Sequence, residues 1–124
     1  MLMRLNYVIV YTSDMQRSIA FYRDQLGFPV KMESPDWTEF HTGATTLALH
    51  HGNPCERPRL AHSETQAGEA HLGIEVLDID KFYEEKKAKG VQFTLPPTLQ
   101  KFGRKLSVFV DPDGLPISVT EEIG

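Results

Sequence analysis

Cysteine is almost missing from this 124-residue chain: Cys55 stands alone, so no internal disulfide can form and a reducing, cytoplasmic setting is expected. A basic surplus is missing too. Thirteen Lys and Arg face seventeen Asp and Glu, a formal net charge of −4, which argues against a nucleic-acid partner. No apolar run approaches the ~18 residues of a membrane helix, so no membrane partner is expected either. The start, Met1-Leu2-Met3-Arg4-Leu5-Asn6, lacks the charged-then-apolar order of a signal peptide. Also absent are G-x-G-x-x-G, a Walker loop and a G-x-S-x-G elbow, which sets aside nucleotide-binding and serine-hydrolase chemistry. What remains, 40% hydrophobic and 24% charged, is the composition of a soluble globular protein. A chain of this length can bury roughly two thirds of its unfolded surface without staples.

The punctuation of the sequence is regular. Asn6 to Tyr11 is rich in β-branched and aromatic residues and predicts a strand. Ser13 or Asp14 can cap a helix in which Met15, Ile19, Tyr22 and Leu26 recur at helical spacing, and Gly27 supplies its stop. Phe28 to Met32, Trp37 to His41 and Thr46 to His50 read as strands. Residues 52 to 69 carry two prolines, two glycines and no periodicity, the pattern of a long loop. Then the order returns. His71 to Val76 is a strand, Asp78 or Asp80 caps a helix to about Lys89, and Gly90 ends it. Val91 to Thr94, Leu106 to Val110 and Leu115 to Thr120 are extended, with Asp111-Pro112-Asp113-Gly114 as a type I turn.

The second half thus repeats the first. A shift of 64 places Tyr7 on His71, Val10 on Ile74 and Asp14 on Asp78, and a shift of 70 places Leu47 on Ile117. Period-2 alternation sorts each strand into two faces. Val8, Val10, Leu47, Leu49, Leu72, Ile74, Val76, Ile117 and Val119 form an aliphatic set suited to packing under the two helices. The opposite set holds Tyr7, Ile9, Tyr11, Thr46, Ala48, His50, His71, Gly73, Glu75, Pro116, Ser118 and Thr120. That mixture fits either a solvated sheet face or a concave pocket.

Three stretches carry a family resemblance: Asp14-Met-Gln-Arg-Ser-Ile-Ala-Phe-Tyr-Arg-Asp-Gln-Leu-Gly-Phe28; His71-Leu-Gly-Ile-Glu-Val76 with Gly90-Val-Gln-Phe93; and Phe102-Gly-Arg104 with Val110-Asp-Pro-Asp-Gly-Leu-Pro-Ile117. In this order and spacing, with the duplication, the chain resembles the vicinal oxygen chelate superfamily. That superfamily includes glyoxalase I, bleomycin-resistance proteins, extradiol dioxygenases and fosfomycin-resistance enzymes. The resemblance implies an α+β fold of two βαβββ modules whose mixed sheet curls into an open cup, with the helices on the convex side. The modules are expected at 1–57 and 70–124, joined by a 58–69 linker within one domain.

In the metalloenzymes of that superfamily, four cup-facing positions hold a divalent metal that binds two adjacent substrate oxygens and stabilises an anion. Carried over, they fall on Tyr7, Ala48, His71 and Ser118. Only His71 is a conventional ligand, and the glyoxalase I set of two histidines and two glutamates is absent. His50 is a possible substitute, and with His71 and Glu75 it has the composition of a two-His-one-carboxylate site. Yet His71 and Glu75 lie about 13 Å apart along a straight strand, too far to share one ion. No cofactor is therefore expected, the alternative being a divalent metal.

The remaining residues have plainer readings. His41, His51 and His62 suit exposed positions, Cys55 an ordinary thiol, and Lys86, Lys87 and Lys89 a solvated helix end. Trp37 suits either the cup rim or the core. Arg104 suits either an anionic ligand group or a surface ion pair. The expectation is a small organic molecule bound by Tyr7, Tyr11, Trp37, Ala48, His50, His71, Glu75, Arg104 and Ser118. The alternative is a metal-dependent lyase, isomerase or dioxygenase acting on vicinal oxygens. By resemblance to one-domain members of the superfamily, a homodimer with C2 symmetry is expected.

Overall fold

Both helices begin where an aspartate can cap them. The Asp14 carboxylate accepts the Arg17 backbone N–H at 3.1 Å, and Asp78 accepts that of Lys81 at 3.1 Å, satisfying one free donor of each first turn. Both helices are followed by glycines in the left-handed region, Gly27 at φ 96° and Gly90 at φ 90°. The computed structural model describes residues 3, 5–53, 67, 70–101 and 103–122. Of the 58–69 linker it describes only Ala67, and Cys55, His62 and Phe102 also lie outside the described residues. The chain divides into two compact units, Met1–Glu56 and Arg57–Gly124.

The first unit runs β1 (Tyr7–Thr12), α1 (Met15–Ile19) continued by a π-helical segment (Ala20–Gln25), β2 (Val30–Glu33), β3 (Trp37–Phe40) and β4 (Thr46–His51). Its open sheet has the order β1-β4-β3-β2, with β1 parallel to β4 and the other pairs antiparallel. The second runs β5 (Leu72–Val76), α2 (Ile79–Ala88), β6 (Gln92–Leu99), β7 (Lys105–Val110) and β8 (Pro116–Glu121), in the matching order β5-β8-β7-β6. Two βαβββ modules of identical strand order are present, as the internal repeat predicts. No helix among the described residues is long and apolar enough to cross a membrane.

Three local departures have physical causes. The first helix is not α-helical throughout: Leu26 N–H reaches the Phe21 carbonyl, five residues back, at 2.9 Å. The wider π turn lets neighbouring Phe21 and Tyr22 both be buried, their rings edge to face at 5.0 Å. β6 extends past Thr94 through Pro96 and Pro97, because it is an edge strand and its pairing with β7 shifts register between Leu95 and Thr98. His71 lies one residue before β5 rather than within it.

Each helix packs on the aliphatic face of its own sheet. In the first unit Val10, Ile19, Tyr22, Phe40, Leu47 and Leu49 are buried, with Tyr22 against Phe40 at 5.8 Å. Beneath them the Thr12 and Ser18 hydroxyls bond to each other, which removes the cost of burying two polar groups there. In the second, Ile79, Val108, Phe109, Ile117 and Val119 are buried, and Phe82 of α2 meets Phe109 of β7 at 6.1 Å. The opposite faces are left for the polar and aromatic set.

Candidate functional site

Register decides what stands beside what on the first open face. Tyr11 of β1 is opposite His50 of β4, and His50 is opposite Trp37 of β3, so these three form one row. The next row is Ile9, Ala48 and Glu39, and Tyr7 stands opposite Thr46 in the third. Tyr7 and Trp37 are therefore two strands and four residues apart. With strands about 4.8 Å apart and a rise of about 3.3 Å per residue, their Cα atoms are separated by roughly 16 Å. Their ring centroids nevertheless lie only 6.2 Å apart, at 86°. Each side chain must lie along the diagonal, over the small residue between them. That residue is Ala48, and it has no exposed surface although it faces away from the helix.

The other rings join this pair. His50 meets Trp37 at 5.7 Å and 75°, and Tyr11 at 5.4 Å and 77°, all edge-to-face contacts. Tyr7 and Tyr11 keep 50% and 66% of their surface exposed, so the rings cover the face without being sealed by anything above them in the unit. The Trp37 indole N–H donates to a Glu39 carboxylate oxygen at 2.8 Å. Lys31 reaches the other Glu39 oxygen at 4.0 Å and the Thr46 hydroxyl at 3.4 Å. Glu39 and Lys31 escaped the sequence reading, although Glu39 lies two residues from Trp37 and so shares its face.

The second unit's open face is more polar. His71 Nε2 lies 3.0 Å from the Ser118 hydroxyl, so the repeat-related partners of Tyr7 and Ala48 form a hydrogen bond with each other. Arg104 is an internal tie: its guanidinium donates to the Glu121 backbone carbonyl and lies 3.6 Å from a Glu75 carboxylate oxygen. Its Nε is buried without a hydrogen-bond partner. Lys86 and Lys87 lie over the rings of Phe82 and Tyr83, at 5.8 and 5.3 Å, along the helix surface. His41 and His51 are exposed.

The structure thus brings together Tyr7, Tyr11, Trp37, His50 and Ala48 in one unit, and His71 with Ser118 and Glu75 with Arg104 in the other. The four positions carried over from the metalloenzymes do not fit a divalent ion. Ala48 has no donor atom and is roofed, the Tyr7 ring is turned across it, and the Ser118 hydroxyl is a poor ligand already bonded to His71. Within the second unit, His71 and Glu75 are engaged by different partners. Among the described residues no three His, Cys, Asp or Glu gather as a metal cluster.

Comparison with known proteins agrees with this architecture. The Bacillus subtilis protein YwkD is 28% identical over 128 aligned residues, covering 98% of this chain and 99% of its own. The metallothiol transferase FosB of Staphylococcus saprophyticus is 28% identical, covering 92% of this chain and 74% of its own. The crystal structure of SMU.1112c superposes with a TM-score of 0.83 at 25% identity, covering 98% of this chain and 100% of that one. Residues 4–119 match the family model of the Glyoxalase/Bleomycin resistance protein/Dioxygenase superfamily, so with its duplicated βαβββ module the chain belongs to that superfamily.

Proposed function

We propose that this protein binds a small organic molecule on its open sheet faces without the divalent metal of the superfamily's enzymes. One observation carries the reading: where metal ligands would stand, the first module has Tyr7 and Trp37 closing over donorless Ala48. Rings on a sheet face gain by covering apolar ligand surface, at about 25 cal/mol per Å² buried, and tolerate varied ligands. Tyr7, Tyr11 and Trp37 are the apolar walls, while His50, His71 and Ser118 supply hydrogen bonds. The His71–Ser118 pair can present either a donor or an acceptor, because the hydroxyl rotates and the imidazole has two tautomers. Arg104 and Glu75 hold each other and act as a framework for this face.

Trp37 is the only tryptophan, so its fluorescence reports directly on the first face. A small-molecule screen is expected to give ligands that shift Trp37 emission, and purified protein is expected to hold no stoichiometric metal and to melt unchanged in EDTA. A second reading draws on the FosB relative, which is named a metallothiol transferase. On that reading, together with the superfamily resemblance, the chain is a metal-dependent lyase, isomerase or dioxygenase acting on vicinal oxygens. One metal per chain, lost on His71→Ala, would favour this reading and overturn the metal-free proposal. We further propose a cytoplasmic homodimer; a monomer that sedimentation finds independent of concentration refutes the dimer.

A further inference from the structure

The rings and the carboxylate on the first open face differ from a plain apolar surface, and this difference has chemical content. Tyr7, Trp37, His50 and Tyr11 form a chain of edge-to-face contacts at 86°, 75° and 77°. At the Tyr7–Trp37 end of that chain the two rings stand at right angles 6.2 Å apart, so their negative faces point in different directions beside each other, a disposition that suits an organic cation. The indole N–H bonds the Glu39 carboxylate at 2.8 Å, which places a formal negative charge beside the ring where cation–π attraction is strongest. The counter-charge of Glu39 is held only at the limit of an ion pair. Lys31 lies 4.0 Å away, and Glu39 keeps 25% of its side-chain surface exposed. Lys31 is itself 45% exposed and held to Thr46 by a long 3.4 Å contact. An incoming cation can therefore displace it. The chain's net charge of −4 works in the same direction at longer range.

We propose that the ligand of this face is an organic cation of the tertiary or quaternary ammonium class, held by the faces of Tyr7 and Trp37 with Glu39 as counter-ion. This rests on the small-molecule reading above and names its substrate class. Lys31 is the intrinsic competitor, an ammonium that occupies the edge of the site in its unliganded form.

The test uses a pair of probes of equal shape, choline and the neutral 3,3-dimethylbutan-1-ol. Each is titrated into the intact protein, with the single Trp37 indole N–H resonance followed by NMR. Choline is expected to bind at least about tenfold more tightly, although the neutral alcohol is the more hydrophobic. Glu39→Gln keeps an acceptor for the indole and is expected to lower choline affinity about fivefold while leaving the alcohol unchanged. Lys31→Gln is expected to raise choline affinity about threefold. Equal affinity for the two probes, or a ratio unmoved by Glu39→Gln, overturns the proposal. If neutral molecules from the screen shift Trp37 emission while choline does not bind, the cation class falls and the small-molecule reading stands. If nothing shifts Trp37, both fall.

Discussion

Replacing Ala48 by glutamate would restore a carboxylate at a position where metalloenzymes of the superfamily hold a ligand, and here it should destabilise the fold. Ala48 has no exposed surface, and the Tyr7 and Trp37 rings meet above it. Four extra heavy atoms beneath them must push at least one ring off its rotamer, an overpacking cost of about 1–3 kcal/mol. Glu39 is the direct cross-strand partner of Ala48, so two carboxylates would then face each other, costing a further ~0.2–1 kcal/mol. The sum, about 1.2–4 kcal/mol and centred near 2.6, lowers Tm by roughly 10 °C for a chain of this size. Burial and Glu39 both raise the folded-state pKa of the introduced carboxyl above its unfolded value of ~4.3. The electrostatic part of the loss is therefore complete above the raised folded value, fades as pH falls through it, and is gone below the unfolded one. Ala48→Leu carries the steric cost without the pH dependence. Thermal melts of both variants from about pH 4 to 8 separate the two terms, and adding Trp37→Ala should recover part of the steric loss in each. An Ala48→Glu protein as stable as the parent, gaining stability on addition of zinc, would refute both the roof and the metal-free reading.

His71→Ala should weaken ligand binding yet shift Tm by less than about 2 °C, because His71 is exposed and lies before β5; a collapse of near-UV circular dichroism would contradict this. Thr12→Val leaves the buried Ser18 hydroxyl without its partner and should cost about 1–3 kcal/mol, read as a lower urea midpoint at unchanged slope. Lys105 is held above the ordinary lysine range by its 2.7 Å hydrogen bond to Asp80. Its contribution is complete below the unfolded lysine pKa and lost as pH rises through the raised folded value. The stability gap between parent and Lys105→Gln should thus hold from about pH 6 to 9 and close only in stronger alkali, near or above about pH 10.4. A gap that closed near neutrality would assign the effect to another group.

What was legible in the sequence was whatever depends on neighbours along the chain. The caps Asp14 and Asp78 bond residues three positions on, and Gly27 and Gly90 sit where the turn needs a positive φ. Face alternation was legible for the same reason: Val10, Leu47, Leu49, Ile117 and Val119 are buried, while Tyr7, Ile9 and Tyr11 are exposed. The π turn was not, because apolar residues at 15, 19, 22 and 26 satisfy an α-helix equally well and only the packing of Phe21 widens it. Nor was β6 beyond Thr94, since two prolines end most strands and are tolerated here only at an edge with shifted register.

The candidate site divides along the same line. That position 48 offers no metal donor was plain from its side chain alone. That Tyr7 and Trp37 meet there was not, because their contact depends on the registers of β1 with β4 and of β4 with β3, which no local pattern encodes. These are two consequences of one residue. A side chain long enough to ligate an ion from Ala48 would occupy the diagonal on which the rings lie. Losing the donor and gaining a continuous aromatic face are then a single change, and a variant that regains one should lose the other.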